Sequence, residues 1–410
     1  MPFPHYGPTP RATCQCAAPC HFRLENNVSR SDSSVKRRLR SSRSGLAVIA
    51  VVALLLGTTS VLNAATSPTS AAAANQDGSS IKANDVTSLP VSFEVENVNR
   101  SKVACASDGA TYTVRGHIVG PTKELRRKTV NGATLYLHGL SFGEFFWDFA
   151  QAQNYNFATS QAKAGQVSVV IDRLGYGSSD KPEGNSICVG SRADIAHQIV
   201  LDLRAGSYEV TPSGQTPEFS RVVLAGHSYG GQIAQVAAYS FGDIDGLVVI
   251  GYADRVQSQL LRDNSAYAAT VCASGGLRVG GAGPAGYAPF GPPEGAAAAL
   301  FNSAEPAVQS AALQLLTIDP CGDTASFASA VAVDLVNVPS IEVPVLIIAG
   351  GRDALFPVPA GPDQASLYTG AQSVDQVTLP TFGHAVTLEY AYAPSALRPL
   401  NDWLQKVLRR

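Results

Sequence analysis

A buried strand, a glycine-flanked serine and a helix follow one another directly at residues 222–240, and this stretch limits the possible folds most. Residues 222–225 form an apolar, partly β-branched run, which indicates a buried parallel strand. A helical pattern begins at residue 232. Between the two, Gly226-His227-Ser228-Tyr229-Gly230 has the G-x-S-x-G form of a nucleophile elbow, a sharp turn that presents a serine. Ordinary turns also contain this short motif, so the rest of the chain must supply partners for Ser228.

The first 89 residues have the composition of a leader followed by a spacer. A basic cluster at residues 36–43 precedes an apolar run at residues 46–56, and small residues come next. This order is typical of a secretory signal, and the run is shorter than the ~20 residues that span a bilayer. We expect a leader over residues 1–65, a flexible spacer over residues 66–89 and a secreted or extracytoplasmic protein with no stable membrane anchor after processing. The alternative is an anchor formed by residues 46–62.

The charge of the remaining chain argues against a polyanionic partner. Residues 66–410 contain 22 Lys and Arg against 30 Asp and Glu, a net charge of −8. Nucleic-acid-binding domains carry the opposite balance. We therefore expect no nucleic-acid partner.

Four cysteines follow the predicted leader: Cys105, Cys188, Cys272 and Cys321. An even number in an exported chain favours two disulfides, and four cysteines allow three connectivities. Their places along the expected fold favour Cys105–Cys188 and Cys272–Cys321.

Strand and helix patterns alternate from residue 90 onward. Apolar runs at residues 133–137, 166–171, 246–250 and 345–349 resemble the run that precedes Ser228. Such alternation predicts a mainly parallel sheet covered by helices on both faces. Residues 252–342 interrupt it with Ala-rich helical pieces and an irregular Gly/Pro stretch, which is typical of an inserted lid. The expected organisation is a core in two parts, residues 90–251 and 343–410, with a cap at residues 252–342.

The candidate partners of Ser228 come from the ends of later strands. A serine hydroxyl needs a base, and the base needs an acid that orients it. Functional residues of parallel sheets gather past the carboxyl ends of the strands. His384 follows the last predicted strand on a glycine-bearing loop, and we predict it to be the base. Asp353 directly follows the strand at residues 345–349 and is the predicted acid, with Asp254 as the rival.

Two backbone N–H groups are needed to bind a developing oxyanion. We predict that of Tyr229, the residue after the serine, and that of Leu140, in the loop after the strand at residues 133–137. Ser141 is the next candidate in that loop, and His138 is predicted to shape it.

Taken together and in order, the chemical motifs resemble those of the α/β-hydrolase superfamily over residues 90–408. The motifs are His138-Gly139, Asp172-x-x-Gly175-x-Gly177-x-Ser179-Asp180, Gly226-His227-Ser228-Tyr229-Gly230-Gly231, Gly350-x-x-Asp353 and Gly383-His384. The resemblance implies an α/β fold with a mostly parallel eight-stranded sheet, helices on both faces and a helical cap inserted after the sixth strand. Relatives that process epoxides or halides carry aspartate at the elbow. Serine at position 228 therefore implies an esterase, lipase, thioesterase, carbon–carbon hydrolase or perhydrolase-like activity.

From these observations we expect an exported serine hydrolase that cleaves a carboxylic ester through Ser228, His384, Asp353 and an acyl-enzyme intermediate. The alternatives are a lyase, perhydrolase or carbon–carbon hydrolase of the same fold, and a noncatalytic binding protein. The sequence has no metal-ligand cluster or phosphate-binding loop, so we expect no cofactor and no metal. We expect the partner to be a small-molecule ester that is uncharged or weakly polar, because no arginine pair falls in the predicted pocket. The residues predicted to line that pocket are Phe142, Phe145, Phe146, Trp147, Phe149, Tyr252, Leu260, Leu261, Tyr267, Tyr287 and Phe290.

Overall fold

The structure is a computed structural model that describes residues 85–389 and 394–409. The predicted leader and residues 66–84 of the predicted spacer lie outside the described residues. The first strand, β1 (Val86–Glu96), begins within the predicted spacer, so the spacer's expected end at residue 89 is wrong. The reason is that β1 pairs with its neighbour along its whole length, from Val86 opposite Pro121 onward.

The described part of the chain contains strands and helices in alternation. The strands are β1 Val86–Glu96, β2 Thr111–Pro121, β3 Thr129–Val130, β4 Ala133–Leu137, β5 Ser168–Asp172, β6 Glu209–Val210, β7 Glu218–Phe219, β8 Val222–His227, β9 Gly246–Ile250, β10 Tyr287–Ala288, β11 Asp319–Pro320, β12 Val345–Gly350 and β13 Val374–Leu379. The α-helices are α1 Thr122–Leu125, α2 Phe157–Lys163, α3 Val189–Ala205, α4 Tyr229–Phe241, α5 Gln259–Ala273, α6 Ala296–Leu300, α7 Pro306–Leu313, α8 Cys321–Asn337, α9 Ala360–Ala365 and α10 Pro394–Leu408. Short 3-10 helices occupy Glu144–Phe146, Gly184–Ser186, Val279–Gly281, Pro293–Gly295, Val338–Ser340 and Val386–Leu388.

Nine of the described strands form one sheet in the order β13-β12-β9-β8-β4-β5-β2-β1-β6. The strands from β5 to β13 in this order are parallel to one another, whereas β2, β1 and β6 pair antiparallel. Eight of the nine are five or more residues long, and β6 adds two residues at one edge. The predicted mostly parallel α/β sheet is confirmed. The insertion after β9, the sixth of the eight long strands, contains α5 to α8.

Both faces of the sheet are buried. Neighbouring residues of a strand point to opposite sides of the sheet, so they pack into different parts of the core. In β8, Leu224 belongs to the core with Ile199 of α3 and Ile233 of α4. Its neighbour Val223 belongs to the core on the opposite face, with Trp403 of α10. This burial on both sides explains why β8 has an unbroken apolar sequence.

Helix α8 was not predicted from the sequence, although it has 17 residues. Its buried residues include Asp323, Ser326, Ala330 and Asp334, and large apolar side chains are absent from that set. Hydrophobic periodicity is the main sequence signal for a helix. A helix that buries polar and small residues therefore gives a weak signal.

The two disulfides join Cys105 to Cys188 and Cys272 to Cys321, which is the predicted pairing. The second bond connects α5 with the start of α8. The sequence separations are 83 and 49 residues, and loops of this size correspond to about 4 kcal/mol of stabilisation each in the chain-entropy model.

Among the residues that the structure describes, none of the helices combines the length and apolar character required to span a membrane.

Two buried carboxyl groups, Asp254 and Asp334, lie between the core and α8, and each influences the pKa of the other. Asp254 also accepts the Tyr252 hydroxyl at 2.8 Å, and Asp334 accepts the Tyr239 hydroxyl at 2.8 Å. Burial raises the pKa of both carboxyl groups above the usual 3.8, with that of Asp334 well above it. Since a raised folded pKa favours the protonated form, the pair stabilises the fold most at low pH.

We predict that Asp334→Asn makes the protein more stable than the wild type at pH 8. At pH 4 its gain in the free energy of unfolding over the wild type is smaller or absent. The wild type loses up to ~1.4 kcal/mol per pH unit while the folded pair retains a proton that the unfolded chain has lost. The amide carries no charge and removes this loss. Urea unfolding between pH 4 and pH 8 measures it, with the exposed Asp375→Asn as the control. Equal pH dependence in wild type and Asp334→Asn would contradict the prediction.

Candidate active site

The turn between β8 and α4 holds Ser228 in a backbone conformation that side-chain-bearing residues rarely adopt. Its φ is 53° and its ψ is −125°. The Ser228 N–H donates to the Ile250 carbonyl at 2.8 Å, which fixes the turn to the end of β9. A Cβ at Gly226 would lie 2.0 Å from the Gly230 carbonyl oxygen, and one at Gly230 would lie 2.3 Å from that of Leu137. The two glycines are therefore required by close backbone packing.

His384 and Asp353 are brought together from the ends of β13 and β12. His384 Nδ1 lies 2.9 Å from Asp353 Oδ2, and both side chains are almost fully buried. The other carboxylate oxygen, Oδ1, accepts the backbone N–H groups of Leu355 at 2.8 Å and Phe356 at 3.0 Å. These bonds orient the carboxylate toward Nδ1. The other ring nitrogen of His384, Nε2, has no hydrogen-bond partner among the described residues.

Ser228 and His384 line the same cavity at the carboxyl ends of the strands. The centres of water molecules can occupy about 30 Å³ of it, which is room for about two waters. The lining residues are Leu140, Ser141, Phe142, Ser228, Asn264, Phe290, Ala296, Ala299, Leu300, Leu316, Leu355 and His384.

His227 supports the loop that carries His384. Its Nε2 donates to the His384 carbonyl oxygen at 2.9 Å, and its ring stacks on Phe146 with centroids 4.2 Å apart. Burial holds the pKa of His227 well below its usual range, and the nearby His384 lowers it further. His227 is therefore a neutral donor. Sequence reasoning missed this role, because a histidine beside the serine gives no signal about a residue 157 positions away.

The two predicted oxyanion donors lie on adjacent segments, the start of α4 and the loop after β4. Tyr229 is the first residue of α4, where a backbone N–H has no intrahelical acceptor. The N–H of Leu140 has no acceptor among the described residues, and Leu140 lines the cavity. Ser141, the second candidate in the loop, is already engaged, since its N–H donates to Asp319 Oδ1 at 2.5 Å. A Cβ at Gly139 would lie 2.9 Å from that of Ser228, so this loop touches the serine turn.

The insertion contributes two buried aspartates that hold the loop after β4 and the start of α4. Asp319 accepts the Ser141 hydroxyl at 3.0 Å and the Tyr176 hydroxyl at 2.8 Å, in addition to the Ser141 N–H. Asp323 pairs with Arg192 at 2.6 Å and accepts the Tyr229 hydroxyl at 3.1 Å. Burial raises the pKa of Asp319 to about 6. These roles were not predictable from the sequence, because both residues lie far along the chain from the residues they contact.

The other aspartate and histidine candidates have different partners. Asp254 accepts hydrogen bonds from Tyr252 and from Gln364 Nε2, and none from His384. His138 Nδ1 contacts the Gly139 carbonyl at 2.9 Å, and its Nε2 accepts the Arg173 N–H at 3.1 Å. His138 is thus held inside the loop it belongs to.

Most aromatic residues predicted to line the pocket lie elsewhere. Of that set only Phe142 and Phe290 line the cavity. Trp147 packs against Tyr136 with ring centroids 4.9 Å apart, inside the core on the α10 face of the sheet. Tyr267 is exposed. The prediction was wrong because Phe146, Trp147 and Phe149 are fully buried in the core instead.

One group of described residues has ligand atoms close enough to hold a metal ion: His117, Glu144 and Asp148, within 4.8 Å of one another. His117 Nδ1 and Glu144 Oε1 already form a contact of 2.6 Å. The group lies outside the residues that line the cavity of Ser228.

Comparisons with known proteins agree with this architecture. A sequence model of the Alpha/beta hydrolase family matches residues 135–396, well over half of the chain. A thermophilic esterase from Thermogutta terrifontis, solved with malate bound, is 19% identical, and the alignment covers 77% of this chain and 99% of that chain with a TM-score of 0.51. A hydrolase from Pseudomonas aeruginosa PA01 is 18% identical over 75% of this chain and 99% of that chain, with a TM-score of 0.50. At these identities, the two similarities concern the fold alone. No curated protein sequence matches the chain.

We predict that Gly226→Ala destabilises the protein by more than ~3 kcal/mol, because a methyl group 2.0 Å from a carbonyl oxygen forces the turn apart. Gly295→Ala is the matched control, since a Cβ there has no atom within 4 Å and its φ is negative. Thermal unfolding of the two variants measures the difference. Equal melting temperatures would show that the turn tolerates a side chain at position 226.

Proposed function

The chain belongs to the alpha/beta hydrolase family, and we propose that it is an exported serine hydrolase that cleaves a carboxylic ester. The observation that carries the proposal is the 2.9 Å contact between His384 Nδ1 and Asp353 Oδ2 beside a cavity that also contains Ser228. This arrangement supplies a nucleophile, a base with a free nitrogen and an acid that orients the base.

In the proposed reaction, Ser228 Oγ attacks the ester carbonyl carbon while His384 Nε2 takes the hydroxyl proton. The tetrahedral intermediate then expels the alcohol, which receives that proton from His384, and an acyl-enzyme remains. Water attacks the acyl carbon in the same way, releases the acid and restores Ser228. Asp353 stabilises the imidazolium that forms in both steps.

The backbone N–H groups of Tyr229 and Leu140 are the proposed oxyanion donors. Negative charge develops on the carbonyl oxygen only during the reaction, so donors aimed at it lower the barrier more than they strengthen substrate binding. Loss of one such donor typically costs about 3 kcal/mol of barrier stabilisation.

The character of the cavity supports an uncharged substrate. Among the described residues that line it, His384 is the only ionisable one, and most of the others are apolar. A charged substrate would have to lose its hydration without gaining an ionic partner, which is costly. We propose a short, uncharged ester.

Export is supported by the two disulfides, because such bonds persist in oxidising compartments and are rare in the cytoplasm.

The test is hydrolysis of p-nitrophenyl acetate and butyrate together with labelling by a fluorophosphonate probe. We expect Ser228→Ala to abolish labelling and to lower kcat by at least ~10⁴-fold. Ser220→Ala, at an exposed serine, is the matched control and keeps both. Labelling of another residue, or normal turnover by Ser228→Ala, would overturn the proposal. Identification of the products as acid and alcohol separates ester hydrolysis from lyase or perhydrolase chemistry.

A second prediction concerns Asp319 as a positioning residue. Asp319→Asn weakens the bonds that hold Ser141 and the adjacent Leu140 N–H, so we expect kcat to fall about tenfold at pH 8 with little change in KM. At that pH the wild-type carboxyl, whose pKa is about 6, is ionised.

Tyr176→Phe is the control for Asp319→Asn, because it removes one hydrogen bond to Asp319 but leaves both bonds to Ser141. Steady-state kinetics on p-nitrophenyl butyrate gives both constants. A rise in KM with unchanged kcat would contradict a role in positioning the oxyanion loop.

A further inference from the structure

Helix α5 of the insertion turns one buried stripe inward, and a polar residue lies in the middle of it. The buried residues of this helix are Leu261, Asn264 and Ala268. Asn264 is 7% exposed and lines the cavity that contains Ser228 and His384. An amphipathic helix normally places apolar residues in such a stripe. The asparagine therefore breaks the pattern at the one position that faces the cavity.

The Asn264 amide has no partner within the described protein. Neither Oδ1 nor Nδ2 forms a hydrogen bond with another described residue, although an amide offers two donors and an acceptor. Burying such a group without a partner costs free energy. Asp254 and Asp319, which are equally buried, have all their polar contacts within the protein. The unmet hydrogen-bonding capacity of Asn264 is directed to the cavity.

The backbone at Gly291 packs directly against this amide. A Cβ at Gly291 would lie 2.5 Å from both Cγ and Oδ1 of Asn264, and Gly291 has a φ of +90° that favours glycine. The absence of a side chain at Gly291 makes room for the amide, and the close contact restricts its movement on that side. The adjacent Phe290 also lines the cavity.

The remaining lining is poor in groups that could recognise a polar substituent. Ser228 and His384 are assigned to the reaction, and Ser141 donates its hydroxyl to Asp319. The other lining residues are apolar. A substrate oxygen that enters this small cavity away from the scissile bond therefore meets Asn264.

We propose that Asn264 is a specificity residue that hydrogen-bonds an uncharged oxygen substituent, a hydroxyl or oxo group, of a short ester. The amide N–H donates to either kind of oxygen, and the amide carbonyl accepts from a hydroxyl. This proposal rests on the proposed ester hydrolysis and narrows its substrate class to oxygen-substituted esters.

The experiment compares matched esters by pH-stat titration of the released acid. On the acyl side the set is methyl butyrate, methyl 3-hydroxybutyrate and methyl acetoacetate; on the alcohol side it is ethyl butyrate and 2-hydroxyethyl butyrate. For the wild type we expect at least one substituted ester to have a kcat/KM about tenfold above that of its plain counterpart. The preferred ester identifies the side and the kind of oxygen.

Asn264→Leu, whose side chain has the same number of non-hydrogen atoms but no hydrogen-bonding group, is expected to reduce this ratio to about one, and Asn264→Ala provides a second, smaller replacement. Asp263→Leu, at the neighbouring exposed position of α5, is the matched control and retains the wild-type ratio. A wild type without preference, or a preference that survives in both Asn264 variants, would overturn the proposal. Failure of the proposed function itself is distinguishable, because none of the esters would then be cleaved and Ser228 would not react with the fluorophosphonate probe.

Discussion

The close packing of backbone around Ser228 is the constraint on which the rest of the site depends. A residue with a side chain and a φ of +53° stores strain of about 1–3 kcal/mol, which persists only where the surroundings fix it. Here the surroundings are β4 and β9, which lie on either side of β8. In addition, Gly226 lets the Gly230 carbonyl come close, and Gly230 lets the Leu137 carbonyl come close. The turn exposes the Ser228 hydroxyl and the N–H at the start of α4 together. One strained residue thus sets the positions of the proposed nucleophile and of one oxyanion donor.

The insertion also helps to hold the residues around Ser228 in place. Its strand β11 supplies Asp319, which holds the loop opposite the serine, and its helix α8 supplies Asp323, which pairs with the buried Arg192. Buried charges are tolerated only when they are paired and hydrogen-bonded, so these contacts specify how the insertion meets the core. The Cys272–Cys321 bond connects the same segment to α5, the helix that carries Asn264. The loop that carries Leu140, a proposed oxyanion donor, and the proposed specificity residue Asn264 are therefore linked through one part of the insertion.

The buried carboxyl groups of Asp254 and Asp334 and the buried amide of Asn264 have different consequences. Asp254 and Asp334 are surrounded by hydrogen-bond donors from the protein, and their effect is on stability and its dependence on pH. Among the described residues, Asn264 has no such donors or acceptors, and it faces a cavity beside Ser228. The first arrangement is complete without a ligand, whereas the second is not. Burial alone would not have separated them.

The sequence by itself determined the α/β sheet, the positions of its long strands along the chain and the inserted segment that interrupts them, because burial on both faces leaves continuous apolar runs and local turns leave glycines. It also singled out Ser228, Asp353 and His384, since each follows a strand end. Only the tertiary structure decided that Asp353 contacts His384 while Asp254 accepts hydrogen bonds from Tyr252 and Gln364. It likewise left the Leu140 N–H without an acceptor among the described residues, whereas the Ser141 N–H donates to Asp319. It also placed Trp147 in the core and revealed α8. These outcomes depend on contacts between residues far apart in the chain, and local periodicity carries no information about which of two nearby side chains will meet a distant partner.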